Sequence, residues 1–156
     1  ALGNHKNMAR IEFQVSIKAP IELVYQVSQD YSVRYEWDTF PENIALLNGA
    51  KHIEKGVCVS VIAKSGLNME VEFVQVMPPT TAAIKMTKGP IVLQGFSGSW
   101  VFKSIAANET NAKFIYSIKT KWWSVPLISE LIASWYFSKV IKSWLNGLKA
   151  YCEANA

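Results

Sequence analysis

Glu36, Asp38 and Glu42 stand close together among Trp37, Phe40 and Pro41 in the stretch YEWDTFPENIALLNGA. Carboxylates set among aromatic rings suit general acid–base chemistry, provided that they converge on one reacting atom. Their i,i+2 and i,i+4 spacings run across a helix end and a turn, so convergence is not required by the pattern. Trp37 and Phe40 read more simply as plugs at a helix-to-sheet corner, roofing whatever lies beneath. The stretch is a hinge and lid.

Other chemistries find less support. His5 lies in the polar N-terminal segment and His52 near a strand end, with no partner at metal-ligand spacing. Cys58 and Cys152 are isolated, without C-x-x-C spacing or a nearby base, and read as buried thiols rather than nucleophiles or a disulfide. GFSGSW lacks the spacing and the lysine of a phosphate-cradling loop. No cofactor or metal is expected. Polar residues on inward-facing positions are Gln75, Gln94, Tyr116 and Thr120, with Arg34 near the lid. They could orient the polar end of a greasy ligand, or simply satisfy one another as a buried hydrogen-bond network.

The elements that must position these groups follow from periodicity. Ile11, Phe13, Val15 and Ile17 alternate with polar residues, as in a half-buried strand. Pro20 opens a short helix over 20–29, with Ile21, Val24, Tyr25 and Val27 toward its buried side. Asp30 is placed to cap a second helix, 31–37. Strands are predicted over 43–53, 56–64, 67–77, 81–88, 93–105 and 112–122, with turns at Lys55-Gly56, Ser65-Gly66, Pro78-Pro79, Gly89-Pro90 and 108–111. By parity, Met69, Val71, Phe73 and Met77 face inward, as do Ile84, Met86, Phe96, Trp100, Phe102, Phe114, Tyr116, Ile118 and Trp122. Gly95 and Gly98 predict a bulge or sharp bend. From Ser124, a candidate cap, a helix should run over 126–153. Its single apolar face carries Ala133, Phe137, Val140, Ile141, Trp144, Leu148, Tyr151 and Cys152.

The 156 residues fit one domain, 9–156, after a flexible or non-native stretch at 1–8. Half the residues are hydrophobic and 18% are charged, which excludes a disordered chain. The net charge of +4 comes from dispersed lysines without an Arg-rich run, so a nucleic-acid partner is not expected. No run has membrane-spanning length, and no uncleaved export signal is visible. A cytoplasmic location is the default expectation, with a removed export signal left open.

The order is strand, two short helices, about six strands and a long C-terminal helix: an α+β chain. IKAPIELVYQVSQDYSVRYEW, GFSGSWVFKSI and AKFIYSIKTKWW resemble, over residues 9–153, the helix-grip superfamily. That superfamily (SRPBCC-like) comprises polyketide cyclases/dehydrases, START-type lipid-transfer domains and birch-pollen-allergen-like proteins. The resemblance implies a curved antiparallel sheet of six to seven strands gripping the long helix, with a cavity between them. It also implies binding, and in some members transport, of a hydrophobic small molecule or lipid. The alternative is a polyketide cyclase or dehydratase acting in the same cavity. Expected ligand-binding residues are Arg34, Trp37, Phe40, Met69, Phe73, Gln75, Met86, Phe96, Trp100, Tyr116, Ile118, Phe137 and Ile141. The same methionines and aromatics equally suit a plain core.

Ile128, Leu131 and Trp135 fall on the helix side away from Phe137 and Trp144, following Trp122 and Trp123 and close to Lys119, Lys121, Lys139 and Lys142. Tryptophan beside lysine suits transient membrane contact or a homodimer patch. Packing beneath the lid loops is the plain alternative.

Overall fold

The computed structural model describes residues 8–121, 123 and 125–156. The alternating N-terminal stretch is β1 (Met8–Ile17), with Ile11, Phe13 and Val15 packed toward the core and Ile17 fully buried. Pro20 precedes α1 (Ile21–Gln29) as its N-cap, and its carbonyl accepts the Val24 amide to close the first turn. Proline lacks the N–H that a helix start leaves unpaired, so nothing is lost there. Val24, Tyr25 and Val27 are buried as their spacing predicts.

α2 (Arg34–Trp37) is shorter than the predicted 31–37. The Asp30 carboxylate accepts hydrogen bonds from the Ser32 amide and hydroxyl. It therefore closes a local turn instead of capping a helix.

Six strands follow: β2 (Pro41–Leu46), β3 (Cys58–Ala63), β4 (Asn68–Met77), β5 (Thr81–Lys88), β6 (Leu93–Ala106) and β7 (Glu109–Thr120). With β1 they form one antiparallel seven-stranded sheet in the order β1-β7-β6-β5-β4-β3-β2. β2 to β7 make a meander, and β1 closes beside β7, so α1 and α2 carry the chain from one edge of the sheet to the other. Bulges interrupt β4 near Phe73–Gln75 and β6 near Leu93–Gly95. An extra residue on one strand increases local twist and bends the sheet.

The expected α+β curved sheet and long helix are what the chain forms, with local corrections. The strand predicted over 43–53 stops at Leu46, because Asn48 and Gly49 adopt left-handed conformations with φ of 57° and 74° and turn the chain. The predicted 108–111 turn is confined to residues 107–108, and Thr110 is buried in β7 with its hydroxyl donating to the Ala19 carbonyl. The β4 bulge reverses the inward parity, so Met77 and Gln75 are exposed while Val76 turns toward the core. Gln94 is exposed at the β6 bulge. Cys58 is half-buried rather than buried, whereas Cys152 is fully buried. The inward placement of Trp122, the capping role of Ser124 and the N-terminal stretch at 1–7 lie outside the described residues.

α3 (Pro126–Ala154) lies mainly along β1 and β7. Phe137, Ile141, Leu145, Leu148 and Cys152 bury one stripe of it. α2 settles directly on α3 at Gly147, where a Cβ would stand 2.1 Å from the Trp37 carbonyl oxygen. No side chain fits that contact. Because α3 follows one side of the sheet, β3 to β6 are left facing it across a gap filled by side chains alone.

Candidate functional site

That gap holds an apolar cavity of about 70 Å³. Met69, Val71 and Phe73 from β4, Phe96 and Trp100 from β6, and Phe137 and Trp144 from α3 line it, with Phe40 at the lid end. The rings interlock. Phe96 and Phe137 are 4.8 Å apart, and Trp100 and Trp144 meet Phe114 edge-on at 5.0 and 5.5 Å. Edge-to-face packing of this kind is favourable beyond area burial. Phe40 lies edge-on to Trp144 and Tyr136 at 6.0 and 6.3 Å, so the lid is seated on α3 through aromatic rings.

One end of the cavity is polar. Arg34 and Asp38, one helical turn apart, are both buried and form an ion pair, with Nε donating to Oδ2 at 2.7 Å. The second oxygen of Asp38 accepts the Phe40 amide at 2.9 Å, so one carboxylate holds the guanidinium and fixes the lid residue. Arg34 Nη1 reaches the Ser28 carbonyl at 3.5 Å. The guanidinium carbon lies 4.5 Å from the Trp37 ring centroid, 5.2 Å from that of Trp144 and 5.7 Å from that of Tyr31. A planar, weakly hydrated cation is suited to such an aromatic cage. Burial raises the Tyr31 phenol above its ordinary value, against the lowering influence of Arg34, with Asp38 adding to the rise. Trp144 Nε1 is buried without a hydrogen-bond partner among the described residues.

The three carboxylates of the opening stretch do not converge. Asp38 faces inward to Arg34, whereas Glu36 and Glu42 are exposed, Glu36 within 3.4 Å of the Tyr151 hydroxyl. The hinge is made by Trp37, buried against Gly147, and by Tyr35, whose hydroxyl accepts the Ile44 amide and ties α2 to β2.

Of the residues singled out by sequence, Arg34, Phe40, Met69, Phe73, Phe96, Trp100 and Phe137 border the cavity. Trp37 lies behind Arg34. Ile118 and Ile141 are fully buried core residues behind the wall. Tyr116 is also buried: its hydroxyl bonds Ser138 Oγ at 2.7 Å, and burial raises its phenol while that bond pulls it down. Gln75 is on the outer face, with its amide 2.9 Å from Met77 Sδ, and Met86 is half-buried against Gly89. Neither borders the cavity. The sequence groups Asp38 with Glu36 and Glu42, whereas in the fold its partner is Arg34, and Tyr31 joins them at the cavity wall. The legible signal was the i,i+4 spacing of opposite charges. Among the described residues, no group of histidines, cysteines and carboxylates is arranged to hold a metal.

No protein-family model matches the chain, and no curated protein does. Solved structures do. The Zhui aromatase/cyclase from Streptomyces sp. R1128 superposes with a TM-score of 0.80 at 17% identity, over 94% of each chain. A Thalictrum norcoclaurine synthase gives 0.73 at 10% identity, over 95% of this chain and 96% of the other. A START superfamily protein from Mycobacterium smegmatis gives 0.71 at 8% identity, over 94% and 99%. The fold is the helix grip. At such identities the likeness concerns the fold alone, and a fold does not by itself fix a function.

Proposed function

We propose that this helix-grip protein binds, and carries, a hydrophobic small molecule or lipid with one acceptor-bearing polar end. The observation that carries the reading is the buried Arg34–Asp38 pair on the wall of an otherwise aromatic cavity. A buried ion pair contributes little net stability compared with apolar residues of similar volume. It therefore needs a reason, and presenting guanidinium N–H groups and the unpaired Trp144 Nε1 to a carbonyl, carboxylate or phenolate oxygen supplies one. The remainder of the ligand lies against Met69, Phe73, Phe96 and Trp100.

Cavities for small molecules commonly measure about 300 Å³ or more. At about 70 Å³ the present one is closed down, so entry displaces side chains. Phe40, half-buried on the link between α2 and β2, is the one placed to swing away. Titration with fluorescent fatty-acid and aromatic probes tests the reading. Saturable one-to-one binding is expected, and the double variant Arg34→Met/Asp38→Met should lose the preference for a carboxylate over the matching alcohol. Absence of saturable binding leaves only a packed core.

A second reading, a polyketide cyclase or dehydratase in the same cavity, draws on the likeness to the Zhui aromatase/cyclase. It asks the cavity to shape a reactive chain while Arg34 and Tyr31, which both border it, handle charge and protons. Turnover lost with binding retained in Tyr31→Phe and Arg34→Ala would favour it.

A further inference from the structure

The first half of α3 carries a second apolar stripe that faces away from the core. Ile128, Leu131, Ile132 and Trp135 fall at helical spacing along it, and Trp123 and Val125 extend it before the helix begins; all are exposed, Leu131 by 66% and Trp135 by 65%. Folding the chain leaves them bare, although a monomer has every reason to hide such a cluster. Lysines surround it. Lys121 Nζ lies 6.0 Å from the Trp123 ring centroid and Lys139 Nζ 5.5 Å from that of Trp135, and Lys142 shares a groove with Trp135. Lys119, Lys121, Lys139 and Lys142 stand near the stripe in the sequence against one acidic residue, Glu130, so the charge around it is mainly positive.

The stripe borders a groove that adjoins the cavity between sheet and helix. Ile132 and Trp135 form one wall of an open apolar groove of about 490 Å³, whose other wall is Pro90, Val92 and Leu93. Leu67 and Phe137 line both this groove and the cavity. The two spaces are therefore neighbours, with the apolar side chains of Leu67 and Phe137 between them.

We infer that this face docks the protein transiently on an anionic lipid bilayer, with the apolar stripe at the headgroup level and the lysines on lipid phosphates and carboxylates. Tryptophan and lysine side by side on an apolar helix face are what an interfacial site requires. A second copy of the chain fits less well, because a two-fold contact would set this lysine-rich surface against its own duplicate. An acidic protein would match the charge but gives no reason for the groove to adjoin the cavity. That last step rests on the ligand-binding function proposed above; docking itself does not.

Co-sedimentation with phosphatidylcholine vesicles, with and without about one-third phosphatidylserine, tests docking on the full chain. Binding should require the anionic lipid and fall steeply with added salt. Lys139→Gln/Lys142→Gln should weaken it roughly thirtyfold, as expected when two lysines leave an anionic surface. Ile128→Ser/Leu131→Ser should abolish measurable binding at unchanged circular dichroism, because both side chains are exposed in the fold. If those variants still bind the cavity probes, docking and ligand binding are separate properties; if wild-type protein docks but takes no probe, only the ligand reading fails. Indifference to vesicles, or equal binding to neutral ones, overturns the inference. So does a concentration-dependent dimer in sedimentation velocity that the Ile128→Ser/Leu131→Ser variant loses.

Discussion

Gly147→Ala puts the positioning of the lid to the test. A methyl group at 147 would lie 2.1 Å from the Trp37 carbonyl oxygen and 3.2 Å from its carbon, where real contacts do not fall below 3.0 Å. About 1 Å of separation must be gained between backbone atoms of α2 and α3, and no flexible side-chain end can yield it. In an unobstructed helix interior the same substitution would stabilise by about 1 kcal/mol. Overpacking against rigid structure costs about 1–3 kcal/mol and sometimes more. With backbone on one side and a 29-residue helix on the other, the upper end applies, for a net loss of about 2 kcal/mol. For a domain of this size that lowers Tm by roughly 4–8 °C. The displaced element carries Arg34 and leads into Asp38 and Phe40, so probe affinity should fall along with stability. Differential scanning calorimetry and a probe titration read both. A Tm raised by a few degrees with binding intact would mean that α2 is not seated as described, and would refute the reasoning.

Asp38→Ala leaves a buried guanidinium without its partner and should cost about 3–5 kcal/mol in urea denaturation, whereas Arg34→Met/Asp38→Met should cost far less. Phe40→Ala opens the lid end of the cavity; stability should drop while probe association speeds up in stopped-flow fluorescence. Burial, with Glu153 adding to it, pushes the Cys152 thiol up from 9.0 to about 12, so it should resist alkylation in the folded protein while half-buried Cys58 reacts first. The same shift has a sign for stability: the fold keeps a proton that the unfolded chain releases above pH 9.0, so the urea midpoint should decline as pH rises from there toward 12. Cys152→Ala should flatten that decline.

Much of this architecture is legible in the residues because its signals are local and repeated. The alternation of Ile11 to Ile17 and the apolar stripe from Ala133 to Cys152 each leave a strand or helix one face to bury. What escaped were features created when elements meet. The bulge at Phe73–Gln75 shifts β4 by one residue against β5, and a shift of one sends Gln75 and Met77 to the outer face. Asn48-Gly49 is a turn signal inside an apolar run, and the apolar run dominated the reading. Gly147 carried a visible signal, a glycine deep in a long helix, but only the packed structure shows that α2 is what it admits. Within the site, the hinge was readable from Trp37 and Pro41, while the Arg34–Asp38 pairing and the narrowness of the cavity depended on packing.

The central claim is that a ligand enters between sheet and helix, and the methionine methyls report on it directly. Met69 borders the cavity, Met86 is half-buried outside it, and Met77 is exposed on the far face of the same strand as Met69. In protein labelled with ¹³C at the methionine methyls, titration with a medium-chain fatty acid should move the Met69 resonance saturably, at one equivalent, and leave Met77 in place. A shift confined to Met77, or no saturable shift at Met69 at any ligand concentration, would contradict the account.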